Sequence, residues 1–203
     1  MESGLKKPVA EIFESKRLVF RAITSSEEDK ATFNDLIGEP GTDALGNSGI
    51  PLPSNRDVWN NVAKKLSDSS LLSAFVCHRY DTTHADAGQA IGVINLSKPS
   101  LEVKTENCVT KMGIFMAEAS RRQGFAEEAV RWAIDWTFNY TRVHRFELQS
   151  SSYNTAAIKL WQKIGFTLEG RKRECVWFQR KWHDSLMFSL LEHEWDAMQG
   201  GNE

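Results

Sequence analysis

Residues 111–126 read Lys111-Met112-Gly113-Ile114-Phe115-Met116-Ala117-Glu118-Ala119-Ser120-Arg121-Arg122-Gln123-Gly124-Phe125-Ala126. From Asn107 to Ala117 the chain is rich in Val, Thr, Ile, Phe and Met, the composition of a strand. A short polar turn follows, Arg121-x-x-Gly124-x-Ala126. Beyond it Ala126, Ala129, Val130, Ala133, Ile134 and Thr137 fall on one stripe, with Trp132 and Trp136 beside it. That spacing predicts a helix from Gly124 to about Tyr140. Small residues at 124 and 126 let the backbone approach a ligand closely. The amides of Gln123 to Glu127 are then the unpaired donors of a helix N-terminus, which carries partial positive charge and attracts phosphate. Arg121 and Arg122 add forked donors for phosphate oxygens. Glu127 and Glu128 suit the first turn of that helix if they point away from the ligand. Alone, the same string also describes a surface turn with solvated arginines.

Downstream, Arg145–Ser150 reads as a strand. Asn154 then opens a helix to Lys163, with Ala157, Leu160, Trp161 and Ile164 on one face and Gly165 as its stop. Phe166–Leu168, about Cys175–Phe178 and about Ser185–Leu190 read as the last strands. Upstream, Arg17–Ile23 alternates as a strand. Ser25 or Ser26 caps a helix reaching about Ile37, with Glu27, Glu28 and Asp29 in its first turn. Gly38–Pro53 is an irregular connection, and Ser54 or Asn55 starts a second helix with Val58, Val62 and Leu66 on one side. Leu71–Tyr80 and Ala90–Leu96 are strands joined by a polar turn over Asp81–Gly88. The order β-α-α-β-β-β-α-β-α-β-β is an α/β (α+β) arrangement, a mixed sheet with helices packed on it.

The chain has 203 residues, enough for one sizeable core and short for two. The expected organisation is a flexible segment over 1–13, one domain over 14–196 and a flexible tail over 197–203. Net charge is 25 − 27 = −2, which does not favour nucleic acid as a partner. No apolar run has the length of a membrane span, and Met1–Ala10 lacks the apolar stretch of a secretory signal. Cys77, Cys108 and Cys175 are odd in number and far apart, which fits a reducing, cytoplasmic location and small apolar packing roles. Cys77-His78, His84 with Asp86, and His183-Asp184 have no metal-ligand spacing, so no metal is expected.

The combination of Arg121-x-x-Gly124-x-Ala126 with Asn154-x-x-Ala157-x-x-Leu160-Trp161-x-Lys163-x-Gly165-Phe166, Leu168-x-Gly170-x-x-Arg173-Glu174 and the opening Ser15-x-Arg17-Leu18-Val19-Phe20-Arg21 resembles the GNAT-type N-acetyltransferases. Within them it is similar to the branch of ribosomal-protein N-terminal and spermidine acetyltransferases. The resemblance spans roughly Glu14 to Trp195 and is weakest from Gly38 to Leu71. It implies a mostly antiparallel sheet of about seven strands, splayed in a V around coenzyme A, with about four flanking helices. Acetyl-CoA is the implied cosubstrate, and a protein N-terminus or small amine the implied acceptor, for a monomer or homodimer. The implied pyrophosphate loop is Arg121, Arg122, Gln123, Gly124, Phe125 and Ala126. Ile114, Phe115 and Met116 correspond to the strand that pairs with pantetheine. Asn154 corresponds to the asparagine that holds the pantetheine arm or a water, with Ala157 and Trp161 beside the cofactor.

Acetyl transfer needs a neutral amine, a stabilised thioester oxygen and a proton for the leaving thiolate. The Met116 N–H is the candidate for the oxygen. Glu118, just after the strand, and Glu147, on the opposite one, are candidate bases, although each reads more readily as a solvated or paired carboxylate. Ser150–Ser152 are placed to relay through water, and Tyr153 reads as a packing aromatic. The family's usual tyrosine acid is replaced by Trp161, whose indole N–H donates but is no acid near neutrality. Two readings follow: transfer in which solvent, or Asn154 with a bound water, serves the leaving thiolate, or a CoA-binding module with little or no turnover, acting as a sensor or interaction protein.

Overall fold

The computed structural model describes residues 11–38, 70–79, 87–98 and 108–200. Seven strands form one sheet: β1 (Leu18–Ala22), β2 (Ser70–Arg79), β3 (Ala87–Ser97), β4 (Val109–Met116), β5 (Arg145–Ser151), β6 (Thr167–Phe178) and β7 (Lys181–Leu191). Helices α1 (Glu27–Ile37), α2 (Phe125–Tyr140), α3 (Thr155–Ile164) and α4 (Glu192–Gly200) pack on it. The order across the sheet is β1-β2-β3-β4-β5-β7-β6. Neighbours are antiparallel except β4 and β5, which run parallel. This is the mixed, mostly antiparallel architecture expected. Nearly all of the Gly38–Pro53 connection, the helix starting at Ser54 or Asn55, and most of the Asp81–Gly88 turn lie outside the described residues.

Strand alternation divides the core between the two faces. On one face Leu18, Phe20, Val76, Phe146, Leu148 and Phe188 pack under the stripe of α2 that the spacing predicts. Phe20 stacks on Trp132 at 3.5 Å between ring centroids. The Trp132 Nε1–H donates to the Ile12 carbonyl at 3.0 Å, fixing the chain ahead of Glu14. On the other face Phe33, Leu36 and Ile37 of α1 cover Phe75, Cys77 and Val93. Cys77 is therefore the packing residue expected. Cys108 is only half-buried, and Cys175 is exposed, with its Sγ donating to the Lys172 carbonyl at 3.2 Å.

Two elements differ from the sequence reading. The expected short strands at Phe166–Leu168 and Cys175–Phe178 are one strand, β6, with register shifts at Leu168/Gly170 and Lys172/Val176 and Glu174 at φ +47°. Its charged middle looks like a loop in sequence, yet charges and bulges are what an edge strand tolerates. The helix α4 was not among the expected elements, and it crosses the 196/197 boundary. Trp195 anchors it, being 2% exposed, with its Nε1–H donating to Asp135 Oδ1 at 2.8 Å and the Arg131 guanidinium over its ring. Among the described residues no helix is long and apolar enough to cross a membrane.

Candidate active site

Among the described residues the only parallel pair opens into a cleft. β4 and β5 pair at Val109–Arg145, Thr110–Phe146 and Lys111–Glu147, and then part. β4 continues along β3 to Met116, while β5 continues along β7 to Ser151. Which backbone groups face the gap follows from register. The Ala117 N–H donates to the Ile91 carbonyl at 2.8 Å, in line with the pairs Met116–Gly92 and Phe115–Val93. Hydrogen-bonded pairs in an antiparallel ladder alternate, so Ala117, Phe115 and Gly113 bond to β3. Met116, Ile114 and Met112 therefore turn their amides and carbonyls toward β5; Met112 adjoins the last paired rung, while the amides of Ile114 and Met116, beyond it, face the gap and need a partner.

Of the three strand residues expected along a ligand, Ile114 and Met116 present backbone there. Phe115 instead packs its side chain on the α1 side. Gly92 lets β3 run this close to β4. A Cβ there would stand 2.4 Å from the Phe115 carbonyl oxygen.

At the end of β4 the chain makes one 3-10 turn, Glu118–Ser120, and enters α2 through Arg122 at φ +60° and Gly124 at φ +82°. Among the described residues no side chain caps α2 at Gly124, so its first amides are left for an outside acceptor. Arg121 folds back, its Nε–H donating to the Met116 carbonyl at 2.9 Å, which ties the turn to the strand. The Gln123 Nε2 donates to the Ala119 carbonyl at 2.8 Å. Arg122 is exposed, Ala126 is half-buried, and the Phe125 ring is buried against His78.

Both glutamates of the first turn are drawn to the sides. Glu127 accepts from Lys163 at 2.6 Å and Arg131 at 3.2 Å, and the Lys163 bond is the chief cause of its lowered pKa. Burial works against a charged Glu128, but the Arg17 amide and guanidinium and Ser15 outweigh it and lower its pKa as well. The acidic first turn is thus compatible with an anion at the helix end.

On the opposite wall Asn154 caps α3, its Oδ1 accepting from the Ala157 N–H at 3.1 Å. Trp161 is buried, and its Nε1–H donates to Ser150 Oγ at 2.9 Å. Sequence reasoning left this pair unassigned, although a buried indole N–H must find an acceptor and Ser150 was at hand. We expect Ser150→Ala to destabilise the fold by about 1–3 kcal/mol, because it leaves that N–H without an acceptor. The double variant with Trp161→Phe should cost less than the sum of the singles. Urea denaturation of all four proteins measures the coupling, and simple additivity would show that the bond contributes nothing.

The two candidate bases are not brought together. Glu147 lies opposite Lys111 at the closed end of the gap and Glu118 beyond its open end, roughly 20 Å along the strand. Arg145 bonds Glu147 at 3.0 Å and also Glu169. Glu169 is the main cause of the raised Arg145 pKa, and Arg145 in turn lowers that of Glu169. The three line a cleft of about 310 Å³ with Lys111, Gln149 and Met187. Tyr153 stacks on Phe178 at 4.5 Å, the packing role expected of it.

A model of the acetyltransferase (GNAT) domain matches residues 17–167. The chain belongs to the GNAT family. It is similar to the probable N-acetyltransferase YjcK of Bacillus subtilis, 30% identical over 80 residues, or 39% of this chain and 44% of that protein. The putative ribosomal N-acetyltransferase YdaF of the same organism is 25% identical over 110 residues, 54% and 58% of the two chains. The chain spans about half the length of these curated relatives. The spermidine N-acetyltransferase of Vibrio cholerae, solved in complex with CoA and spermine, superposes with a TM-score of 0.69 at 18% identity, over 89% of this chain and 99% of that one. That likeness shows the GNAT fold, and the relatives include proteins named as a putative ribosomal and a spermidine acetyltransferase, the branch that the sequence resembles.

Proposed function

We propose that this GNAT chain transfers acetyl from acetyl-CoA to a primary amine in a ternary complex. The observation that carries the reading is the gap between β4 and β5, which leads from unpaired strand amides to an uncapped helix N-terminus at Gly124. The residues present fit the cosubstrate: backbone at Ile114 and Met116 for a peptide-like arm, and α2 amides with Arg122 for phosphate. Asn154, whose Oδ1 caps α3, is the residue assigned to the pantetheine arm or an ordered water.

Acetyl-CoA supplies the acetyl group as a thioester. The attacking nitrogen must first be neutral, and a protein α-amine at about 7.7–8.0 reaches that state far more readily than a lysine-like amine at about 10.4. Carbon–nitrogen bond formation and carbon–sulfur cleavage leave a proton on the nitrogen and charge on the sulfur, so the proton given up by one balances that taken by the other. The Met116 N–H is the donor offered to the carbonyl oxygen. Trp161 supplies no proton, since its N–H is held by Ser150. The acceptor side fits the cleft of about 730 Å³ beside α1, whose polar lining includes Glu28, Asp35, His78, Gln89 and the Arg21–Asp29 ion pair, so that Glu28 and Asp35 are the carboxylates offered to an amine.

The second reading, a CoA-binding module with little turnover, draws on the same engaged indole and on Arg145 holding Glu147. Separate measurements divide the two: CoA affinity by calorimetry and thiol release across peptide N-termini and small amines. Binding with thiol release is expected. Tight binding with no release across the panel would overturn the enzyme reading. Trp161→Tyr is expected to keep or raise kcat, because a phenol adds an acid where the indole has none; a severe loss would give the indole–serine pair a part of its own.

A further inference from the structure

We propose that Arg17, just ahead of β1, contacts the pyrophosphate of coenzyme A, and that Glu128 positions it; the proposal rests on the acetyl-CoA reading above. Arg17 lies 107 residues from Gly124 in sequence (124 − 17), yet its guanidinium stands at the mouth of the turn. The Arg17 amide donates to Glu128 Oε1 at 2.7 Å, and its Nε–H to Oε2 at 2.6 Å. Its carbonyl accepts from the Arg79 N–H at 3.0 Å, so the backbone is fixed from both sides. The Nη1 donates to the Gln123 carbonyl at 3.1 Å, and the guanidinium lies over the Phe125 ring, 4.5 Å from its centroid.

What remains is Nη2. Among the described residues it has no acceptor, and it lies 3.3 Å from the point where a Cβ on Gly124 would stand. The side chain is 43% exposed, while Glu128 is 17% exposed. A surface arginine ordinarily samples many rotamers, and ordering one costs side-chain entropy. Here a carboxylate, a carbonyl and an aromatic face fix it before any ligand arrives. A tie meant only to join β1 to α2 would be complete with the Nε–H and the amide. Nη2 instead lies beside Gly124, the residue from which the first α2 amides begin. The geometry also gives glycine at 124 a second reason, since a side chain there would press on this donor. Glu128 neutralises the guanidinium overall but holds only its inner edge, leaving Nη2 for a charge-assisted bond.

The test compares acetyl-CoA, acetyl-dephospho-CoA and acetyl-pantetheine with wild type, Arg17→Gln, Arg17→Lys and Glu128→Gln. A charge-assisted bond of the usual strength predicts that R17Q lowers the kcat/KM ratio of acetyl-CoA to acetyl-pantetheine by about 10–100-fold. The loss should fall in KM, and be equally large for the dephospho cosubstrate. R17K, keeping charge without the fork, should recover part of it, and E128Q should show a smaller loss of the same kind. Calorimetric Kd for CoA should follow. An equal loss with acetyl-pantetheine would mean a purely structural tie and overturn the proposal, as would unchanged CoA affinity in R17Q. A defect that vanishes with the dephospho cosubstrate would place the contact on the 3′-phosphate and overturn the pyrophosphate assignment. If wild type itself bound no CoA, the acetyl-CoA reading would fall and this one with it. Wild-type binding with R17Q indifferent would sink this one alone.

Discussion

Gly124→Val is expected to abolish measurable CoA binding, weakening Kd by about 100-fold or more while the protein stays folded. Two separate effects combine. Gly124 sits at φ +82°, a conformation that a β-branched residue adopts only under strain. Strain of about 1–3 kcal/mol is enough to rotate the turn and its amides away from the ligand. The new Cβ would also stand 3.3 Å from Arg17 Nη2, so its methyls would occupy the space in front of the helix end. Gly124 is exposed and contributes no apolar burial, so the core under α2 has no reason to loosen. Calorimetry against CoA, with thermal unfolding as the control for folding, is the measurement. Unchanged affinity would show that the cofactor does not use this turn. Gly124→Ala should fall between, since it brings the strain without the branched methyls.

The half of the site closest in sequence was the most legible. Strand β4, its turn and α2 follow one another without interruption, and each has a local signature: β-rich composition, a glycine, then an apolar stripe. Asn154 and Gly165 likewise bracket α3 as its cap and its stop. The long-range pairs were not legible. Arg17 meets Glu128 and Trp161 meets Ser150 only because separate elements come together, and nothing near Arg17 in sequence signals a phosphate turn. The sequence also offers two carboxylates, Glu118 and Glu147, as candidate bases. The fold instead sets Glu118 and Glu147 at opposite ends and gives Arg145 to Glu147. The misread elements were polar ones. In β6 an edge position tolerates charge, and in α4 one buried tryptophan holds the helix, so hydrophobic periodicity had little to register.

On the α1 side the largest stability effect is expected at Asp29, where Asp29→Asn should cost about 2–3 kcal/mol, because a buried carboxylate loses its charge-assisted bonds to Arg21, whose own side chain stays partly in solvent. Asp29 is buried and accepts from Arg21 through both oxygens, at 2.6 and 3.0 Å. It also takes the Thr24 N–H at 2.7 Å and the Thr24 hydroxyl at 2.6 Å, while its own N–H donates to Ser26 Oγ, the α1 cap. One carboxylate thus joins β1, the connection and the start of the helix beside the proposed acceptor cleft. The Arg21 hydrogen bond, reinforced by Thr24 against the opposing effect of burial, lowers the Asp29 pKa to about 2. The unfolded value is about 3.9, so the folded state holds the proton less tightly. The stability this provides is present above about pH 4 and disappears as pH falls toward 2, an amount on the order of 2 kcal/mol. Urea unfolding of wild type and D29N between pH 7 and 2.5 separates this group from Glu127, Glu128 and Glu169, whose lowered pKa values act in both proteins. The gap between the two proteins should be widest near neutrality and narrow below pH 4. A gap that stayed constant into acid would show that Asp29 holds α1 by shape alone, and that the charge on Arg21 does not secure the wall of the acceptor cleft.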